Sequence, residues 1–290
     1  MRNQGSSFIP TYQNFTVLTI AFYRTNLPTQ ELFFLVSVVF ILLATNINSV
    51  QALSFSFTKF SPRNPAITLQ GDAQILSNGV LALTNSTPLP PSITLPTTGR
   101  TLYTTPLTLW DNVTGNVASF VTSFSFAIAN AEGRSPTDGL VFFIAPKDTV
   151  IPDNSDSLYL GVVDSKTSVN QFVGVEFDLY PNSVDPYNRH IGIDINSLIS
   201  TKTVKWNWVS GSLTKVTIIY DSPSNALTVV VTYANGKIST ISQAVDLKAV
   251  LPNIVRIGFS ATSINGAAHN IHSWSFRSNL EKTTSSVSDI

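Results

Sequence analysis

The sequence predicts an all-β fold in which two antiparallel sheets pack together as a sandwich. Short runs rich in Val, Ile, Phe, Thr and Ser alternate between apolar and polar residues, and Gly, Pro and Asn separate them. Only residues 244–250 look like a helical turn, which ends at Pro252. The chain has no cysteine, so the core must be held together by packing, which its length allows.

Each expected strand follows from period-two alternation, which places every second side chain on the same face of a sheet. The clearest case is residues 118–129, where phenylalanines are interleaved with small residues. We find no internal repeat and no interior linker, which indicates a single domain. The predicted strands are Ser54–Phe60, Ala118–Ala129, Gly139–Ala145, Val173–Asp178, His190–Ile195, Lys215–Tyr220, Leu227–Tyr233, Val255–Ser260 and Ile271–Phe276.

The charge composition excludes some partners. Charged residues make up 12% of the chain, about half of the usual share. Lys and Arg together number 17 and are balanced by 17 Asp and Glu. A neutral chain has no excess of positive charge with which to attract nucleic acid or an anionic membrane. We therefore expect neither partner.

The N-terminal region reads as a leader that directs the chain into the secretory pathway. Residues 32–44 (LFFLVSVVFILLA) form an uncharged apolar block with the length of a signal-peptide core, too short to span a bilayer comfortably. Small residues at 50–52 offer a cleavage site. We expect a leader at 1–52, one domain at 53–277 and a polar tail at 278–290, with an extracellular, vacuolar or protein-body location.

The segment that precedes this apolar block, residues 1–31, is longer than the corresponding part of a usual signal peptide. Either the start at Met1 is assigned too early, or the leader is a real extension; an uncleaved signal anchor is the third reading. No second apolar segment follows, so we expect no membrane span in the mature chain. Two sequons, at Asn85 and Asn112, predict N-glycosylation, although Pro88 follows the first closely.

The most informative stretch is residues 173–200. Glu176 and Asp178 stand at alternate positions of a predicted strand, so their carboxylates point the same way, about 7 Å apart along the strand. A loop with turn-forming prolines contributes Asn182 and Asp185, and His190 opens the next predicted strand. These donors are therefore expected near a single strand end.

Carboxylate, carbonyl and amide oxygens suit hard cations such as Ca²⁺, and one imidazole shifts the preference toward a metal such as Mn²⁺. The alternative reading is a surface loop that happens to be acidic. That alternative is better for any single aspartate, but worse for five donors together beside a buried strand.

At these residues the sequence resembles the legume lectins, the L-type, concanavalin-A-like family. The pattern EFDxxxN…DP…HIGIDxNS is almost intact, and the resemblance continues through GNVASFVTSFSF, DGLVFFIAP, KTVKWNW, VDLKAVLP, GFSAT and SWSF. It covers about residues 54–276, and several runs are similar to peanut-type lectins. The family implies a jelly-roll β-sandwich with a curved front sheet and a flat back sheet.

The resemblance also implies two metal sites. Its manganese ligands match Glu176, Asp178, Asp185 and His190, with Ser200 acting through a water molecule. Its calcium ligands match the carboxylates of Asp178 and Asp185, the side chain of Asn182 and the backbone carbonyl of Tyr180.

A sugar site is implied above the calcium. Asp138 matches an aspartate that accepts hydrogen bonds from two sugar hydroxyls, and the family has a cis peptide before it, here Thr137–Asp138. The amide nitrogen of Asn182 would donate to the sugar, since the donor and acceptor of an amide are separate atoms. The Tyr180 ring would lie against the apolar face of the sugar, or else pack into its own loop.

Two departures from the family pattern make the sugar uncertain. Leu158 stands where the family has a glycine whose N–H donates to the sugar, so a side chain crowds the approach and a positive φ would be costly. The last sugar loop, residues 262–268, is short; it offers Ile264 and Asn265 as contacts.

Three functions from different classes compete. A glycoside hydrolase with E-x-D-x-x-E on one strand would use Glu176 and Asp178, but Pro181 occupies the place of its second acid, and no G-x-S-x-G elbow supports serine chemistry. We expect no enzyme. The favoured reading is a non-enzymatic Ca²⁺/Mn²⁺-dependent lectin for cell-surface or glycoprotein glycans in storage or defence, as a homodimer or tetramer. The alternative is an arcelin-like or inhibitor-like relative with lost or altered sugar binding.

Overall fold

A computed structural model describes residues 53–84, 96–131, 133–135, 137–183 and 185–280. The predicted leader, its cleavage site, the sequon at Asn85 and the last ten residues lie outside this range, so the expectations for them stay predictions.

The described residues form two antiparallel sheets of eight strands each, which confirms the predicted all-β sandwich. The strands are β1 (Ser54–Phe57), β2 (Ile67–Gly71), β3 (Gln74–Ile75), β4 (Leu81–Ala82), β5 (Thr97–Tyr103), β6 (Leu107–Thr108), β7 (Ser119–Ala129), β8 (Gly139–Pro146), β9 (Val173–Asp178), β10 (His190–Ile195), β11 (Lys202–Lys205), β12 (Thr214–Asp221), β13 (Ala226–Thr232), β14 (Ile238–Ala244), β15 (Ile254–Ser263) and β16 (Ala268–Asn279).

One sheet, called the front sheet here, has the order β11-β10-β9-β8-β15-β5-β2, with β6 paired to β15. The other, the back sheet, has the order β14-β13-β12-β7-β16-β4-β3, with β1 paired to β16. The strands β8, β9, β10 and β11 are neighbours both in the sequence and in the front sheet. The strands that carry the acidic cluster, β9 and β10, therefore lie next to β8, which begins directly after Asp138.

Every predicted strand is present, with ends that shift by a few residues, but several strands carry no clear alternation and were not expected. β5 contains Gly99 and Arg100, and a charged residue in mid-strand normally argues against burial. Here Arg100 is 1% exposed, and its guanidinium carbon lies 4.4 Å from the centre of the Phe143 ring. β14 is an edge strand that is polar on most positions.

The helical turn is confirmed in a shorter form, α1 (Leu247–Val250). Its start moves past Ala244 because that residue still pairs with β13. The Asp246 carboxylate caps α1 by accepting a hydrogen bond from the backbone N–H of Ala249 at 3.1 Å. Nowhere in the described part of the chain is there a helix with the length and apolar character to cross a membrane.

The folded domain extends beyond the end predicted at Arg277. β16 continues to Asn279, Leu280 is 1% exposed, and the Ser278 hydroxyl accepts a hydrogen bond from the backbone N–H of Leu53 at 3.1 Å. Ser278 and Asn279 look like part of a polar tail in the sequence, but both still pair with β7.

The core between the sheets is rich in aromatic rings. Phe259 of the front sheet lies with its ring centre 4.9 Å from that of Trp274 and 4.8 Å from that of Phe124, both in the back sheet. All three rings are buried, and the indole N–H of Trp274 donates to Thr122 Oγ1 at 3.1 Å. Edge-to-face contacts of this kind add to the free energy gained from apolar burial.

We expect Phe259→Ala to lower the free energy of unfolding by about 3–5 kcal/mol, because it leaves a cavity between the two sheets. Equilibrium denaturation by guanidinium chloride measures this change. Val113→Ala, at a side chain that is 94% exposed, is the control and should change stability by less than about 0.5 kcal/mol. A similar small effect for both variants would contradict the assignment of Phe259 to the core.

Candidate functional site

The front sheet brings the predicted donors together. β9 and β10 pair in a register that sets Asp178 opposite His190 and Glu176 opposite Gly192. Directly opposed residues point to the same face, so Glu176, Asp178 and His190 share one side of the sheet. One donor atom from each of these three buried residues lies within 4.8 Å of the others. Three of the donors that the sequence placed near one strand end thus form a compact cluster.

A glycine in β10 makes room for this cluster. A Cβ on Gly192 would overlap Ser200 Oγ and would lie 2.6 Å from Glu176 Oε1. Any larger residue at this position would therefore displace Glu176 or Ser200 from the cluster.

Hydrogen bonds tie the cluster to two further residues. His190 Nε2 lies 2.8 Å from Glu176 Oε1. The Ser200 hydroxyl is within hydrogen-bond distance of Glu176 Oε1, at 2.5 Å, and of Asp194 Oδ1, at 2.7 Å. Asp194 was missed by sequence reasoning, although the alternation of His190, Gly192 and Asp194 in β10 places it on the cluster's face.

The cluster concentrates negative charge in a buried place. Burial, and then the charge of Glu176, raise the pKa of Asp178 to about 8. The same two causes raise the pKa of Asp194 well above its usual range. Burial alone would lower the pKa of His190, but the hydrogen bond and charge of Glu176 raise it. These raised pKa values arise because the buried carboxylates lie close together and too little positive charge lies near them to balance their negative charge.

Loop 179–189, which joins β9 to β10, is arranged around two carboxylates. The backbone N–H of Tyr180 donates to Asp178 Oδ1 at 2.6 Å, and that of Asn182 donates to Asp185 Oδ2 at 2.7 Å. Asp185 is not part of the three-residue cluster, but its charge raises the pKa of both Asp178 and His190. The structure thus brings together three of the four predicted manganese ligands and places the fourth in the adjacent loop.

The predicted calcium ligands lie in the same loop. The amide nitrogen of Asn182 donates to the Tyr180 carbonyl oxygen at 3.2 Å. The Asn182 side chain and the Tyr180 carbonyl, both predicted as calcium ligands, are therefore in direct contact. The Asn182 amide nitrogen carries two N–H groups, so the second remains available to a sugar hydroxyl. The Tyr180 side chain is 51% exposed, which favours contact with a ligand over packing within the loop.

The donor set fits a divalent cation. It combines carboxylates, an imidazole, an amide and a backbone carbonyl, which are the ligands of Ca²⁺ and Mn²⁺. His190 Nδ1 and Asp194 Oδ2 are buried and have no hydrogen-bond partner. Buried polar atoms normally have a hydrogen-bond partner, so unpaired atoms beside an acidic cluster fit a place that binds an ion.

Asp138 lies where three loops meet. The peptide between Thr137 and Asp138 is cis, which confirms the expectation for this bond. The backbone N–H of Asp138 donates to Thr262 at 3.1 Å, and its carbonyl accepts from Leu179 at 3.0 Å. The Ser157 hydroxyl donates to Asp138 Oδ1 at 3.3 Å. Asp138 is thereby joined to loop 179–189, to the loop after β8 and to the end of β15.

The Asp138 carboxylate is buried but not saturated. It is 5% exposed, and its Oδ2 atom has no hydrogen-bond partner. Burial raises its pKa to about 6, while the nearby Thr262 and Ser157 side chains act in the opposite direction. An unpaired carboxylate oxygen at a loop junction is suited to accept hydrogen bonds from a ligand.

The remaining predicted sugar contacts surround this carboxylate. The turn between β15 and β16 spans only residues 264–267, as short as the sequence indicated. Asn265 lies in it, with its backbone N–H donating to Thr137 Oγ1 at 3.2 Å and its amide nitrogen to the Ser135 carbonyl at 3.4 Å. Ile264 is half-buried beside it.

The backbone conformation at Leu158 differs from the strained one that the sequence suggested. It is 39% exposed, and its backbone does not adopt a positive φ; its neighbours Ser157 and Leu160 do, with φ of 53° and 48°. The strain expected at Leu158 therefore falls on Ser157, whose carbonyl accepts from Thr262 Oγ1 at 2.6 Å. The side chain of Leu158 can still crowd a ligand.

The two-sheet sandwich and its acidic loop site define a lectin-type binding protein. The profile of the legume lectin domain matches residues 52–289, and the chain belongs to this family. It is 72% identical to the non-seed lectin of Pisum sativum, over 92% of this chain and 98% of that protein. It is 50% identical to the galactose-binding lectin of Arachis hypogaea, over 84% of this chain and 90% of that protein.

Among solved structures, peanut lectin bound to a nine-residue peptide superposes with a TM-score of 0.76 at 51% identity, covering 81% of this chain and all of that one. The predicted legume-lectin sandwich is therefore confirmed. Lectins are non-enzymatic carbohydrate-binding proteins, and the hydrolase reading is excluded with them.

We expect the stabilisation of the protein by added Mn²⁺ and Ca²⁺ to grow as the pH rises from about 5 to 8. With chelator, a carboxyl whose folded pKa is raised stabilises the fold at low pH, and this contribution is lost as the pH rises through about 8 for Asp178. A cation binds the deprotonated carboxylates and reverses this loss.

Thermal unfolding at several pH values, with metals and with chelator, tests this expectation. The difference between the two conditions isolates the cluster, since groups outside it titrate equally in both. A difference that stays constant over the whole pH range would contradict the assignment of Asp178 as a metal ligand.

Proposed function

We propose that this chain is a Ca²⁺- and Mn²⁺-dependent lectin that binds cell-surface or glycoprotein glycans, in storage or defence. The manganese ligands would be Glu176, Asp178, Asp185, His190 and, through a water molecule, Ser200. The calcium ligands would be Asp178, Asp185, the Asn182 side chain and the Tyr180 carbonyl. The metals would organise the binding loops and carry out no chemistry.

The observation that carries the proposal is the link between the acidic cluster and Asp138. Leu179 follows the cluster residue Asp178 directly, and its backbone N–H donates to the Asp138 carbonyl at 3.0 Å. A cation that fixes Asp178 would therefore also help to fix Asp138, whose Oδ2 atom has no hydrogen-bond partner. This arrangement supports a binding site that depends on metal without containing metal.

A neutral sugar offers hydroxyls that donate and accept, and C–H faces that pack on aromatic rings. Asp138 would accept from two hydroxyls, Asn182 would donate, and the half-exposed Tyr180 ring would cover the apolar face. Leu158, Ile264 and Asn265 would bound the site. Because the Arachis relative is a galactose-binding lectin, a galactoside is the first sugar to test.

The second candidate is a lectin relative with lost or altered sugar binding. Two features beside Asp138 favour it: the Ser157 hydroxyl already occupies one carboxylate oxygen, and the exposed Leu158 side chain stands near the opening. Both features reduce the room and the hydrogen-bonding capacity left for a monosaccharide. A larger glycan could still bind, because it can make contacts outside this small space.

The cellular context of the proposal follows from the sequence. The leader would direct the chain to the secretory pathway and then to an extracellular, vacuolar or protein-body location, where it would act as a homodimer or tetramer. Asn112 is exposed in a turn held by Asp111, whose Oδ1 accepts from the backbone N–H of Thr114 at 2.7 Å. An exposed asparagine of this kind is open to glycosylation.

A glycan array with purified protein, with and without chelator, tests the proposal as a whole. We expect binding that includes galactosides and that chelator abolishes, because the loops lose their metal-held order. Absence of binding by metal-loaded protein would favour the second candidate, whereas release of free sugar with time would contradict the non-enzymatic assignment.

Asp138→Asn is expected to weaken the best array glycan by about tenfold or more, since a hydrogen bond to a charged acceptor contributes about 1.5–3 kcal/mol. Isothermal titration calorimetry measures this loss. Asp148→Asn, at an exposed residue just beyond the opposite end of β8, is the control. Unchanged affinity in Asp138→Asn would show that the sugar site is elsewhere.

Ser157→Gly should raise the affinity for a simple monosaccharide by a few-fold, because it frees Asp138 Oδ1, and should not lower stability, because glycine adopts a φ of 53° readily. Ser168→Gly is a matched control, since Ser168 is exposed and has a φ of 54°. If both variants bind the sugar as the parent does, Ser157 does not limit binding.

A further inference from the structure

A pocket of about 440 Å³ opens beside loop 179–189, and its walls are not used by the proposed sugar and metal sites except at their edge. Its volume lies within the range of small-molecule sites, about 300–1,000 Å³. The lining side chains that matter here are Ser135, Tyr180, Tyr187, Arg189, Lys205 and Trp206.

The charge of this pocket is one-sided. Arg189 and Lys205 line it, and no carboxylate does. Within the described ranges, the one ion pair closer than 4.0 Å joins His190 and Glu176, so neither cation of the pocket is neutralised by such a pair. This contrasts with the acidic cluster in β9 and β10, the strands that the same loop joins.

Arg189 is exposed, but two contacts position its guanidinium. Its Nε donates to the Leu179 carbonyl at 3.3 Å, and its guanidinium carbon lies 4.8 Å from the centre of the Trp208 ring. A guanidinium fixed by a carbonyl and an aromatic face keeps its terminal N–H groups for another acceptor. Lys205, at the end of the edge strand β11, is exposed and adds a second donor with positive charge.

The pocket adjoins the proposed sugar site. Tyr180 belongs to both, and the Ser135 carbonyl on the pocket wall accepts from the amide nitrogen of Asn265 at 3.4 Å. Tyr187, which is fully exposed, adds a second aromatic ring at the opening. A glycan whose first sugar contacts Asp138 can therefore extend past Tyr180 into a positively charged cleft.

We propose that this pocket is a subsite for the acidic group of an extended glycan, either a sulfate or a carboxylate. The fixed guanidinium and the lysine would bind the anion, and the tyrosine rings would cover the sugar that carries it. The inference rests on the proposed function, because it needs a neutral sugar bound at Asp138, and it adds the class of glycan that the whole site prefers.

The test compares three probes on the metal-loaded protein: the neutral oligosaccharide that binds best on the array, and the same oligosaccharide carrying one sulfate or one sialic acid. We expect at least one acidic form to bind about fivefold more tightly at low ionic strength, an advantage that salt reduces. Which derivative gains affinity identifies the anion.

Variants at Lys205 test the assignment of the pocket. Lys205→Gln should remove most of the acidic preference, and Lys205→Glu should reverse it, while the neutral probe keeps its affinity. Lys215→Gln, at an exposed lysine in β12 of the back sheet, is the matched control and should keep the preference.

Equal affinity for neutral and acidic probes, or a preference that survives Lys205→Glu, would overturn the inference and leave the proposed function standing. Failure of metal-loaded protein to bind the neutral probe as well would reject the proposed function and the subsite together. Binding of the neutral probe therefore shows whether the subsite alone fails or the proposed function fails as well.

Discussion

The burial of acidic side chains around His190 on one face of β9 and β10 is the constraint on which the rest of the site depends. Glu176, Asp178 and Asp194 are each at most 7% exposed, and the basic side chain that the described residues place among them is the His190 imidazole. Removing several carboxylates from water is costly unless opposite charge compensates for it. A bound cation would supply that charge, which is why we propose a metal site at this place.

The same constraint reaches the proposed sugar site through the backbone. Asp178 is followed by Leu179, Leu179 hydrogen-bonds to Asp138, and Asp138 hydrogen-bonds to Thr262. These hydrogen bonds connect loop 179–189 to Asp138 and to the end of β15. In the proposed function the cluster would hold these loops in place, and the two departures from the family pattern, Leu158 and the short loop 262–268, would influence which ligand fits.

The part of the fold that could be predicted is the part where alternation is clean, as in β7, β9 and β12. β5 was missed because Arg100 breaks the apolar pattern, and only the packed structure reveals its stacking on Phe143. The cluster could be predicted because it depends on strand spacing and register. Asp194 was within reach of the same reasoning, since it alternates with His190.

Loop conformation could not be derived in this way. Ser157 and Leu160 adopt a positive φ and Leu158 does not. The Ser157 carbonyl accepts a hydrogen bond from Thr262, more than one hundred residues away in sequence. The family resemblance named the loop residues, but it could not show that Asp185 lies outside the compact cluster, or that Arg189 and Lys205 line one pocket. Those facts depend on how distant segments pack.

The most direct test of the central claim is a Mn²⁺ titration of metal-free protein followed by electron paramagnetic resonance, on the parent and on Glu176→Gln. The variant retains the shape of the side chain and removes its negative charge. We expect one tight Mn²⁺ site in the parent and an affinity reduced by about tenfold or more in the variant. Equal Mn²⁺ binding by both proteins would contradict the assignment of the cluster as the metal site.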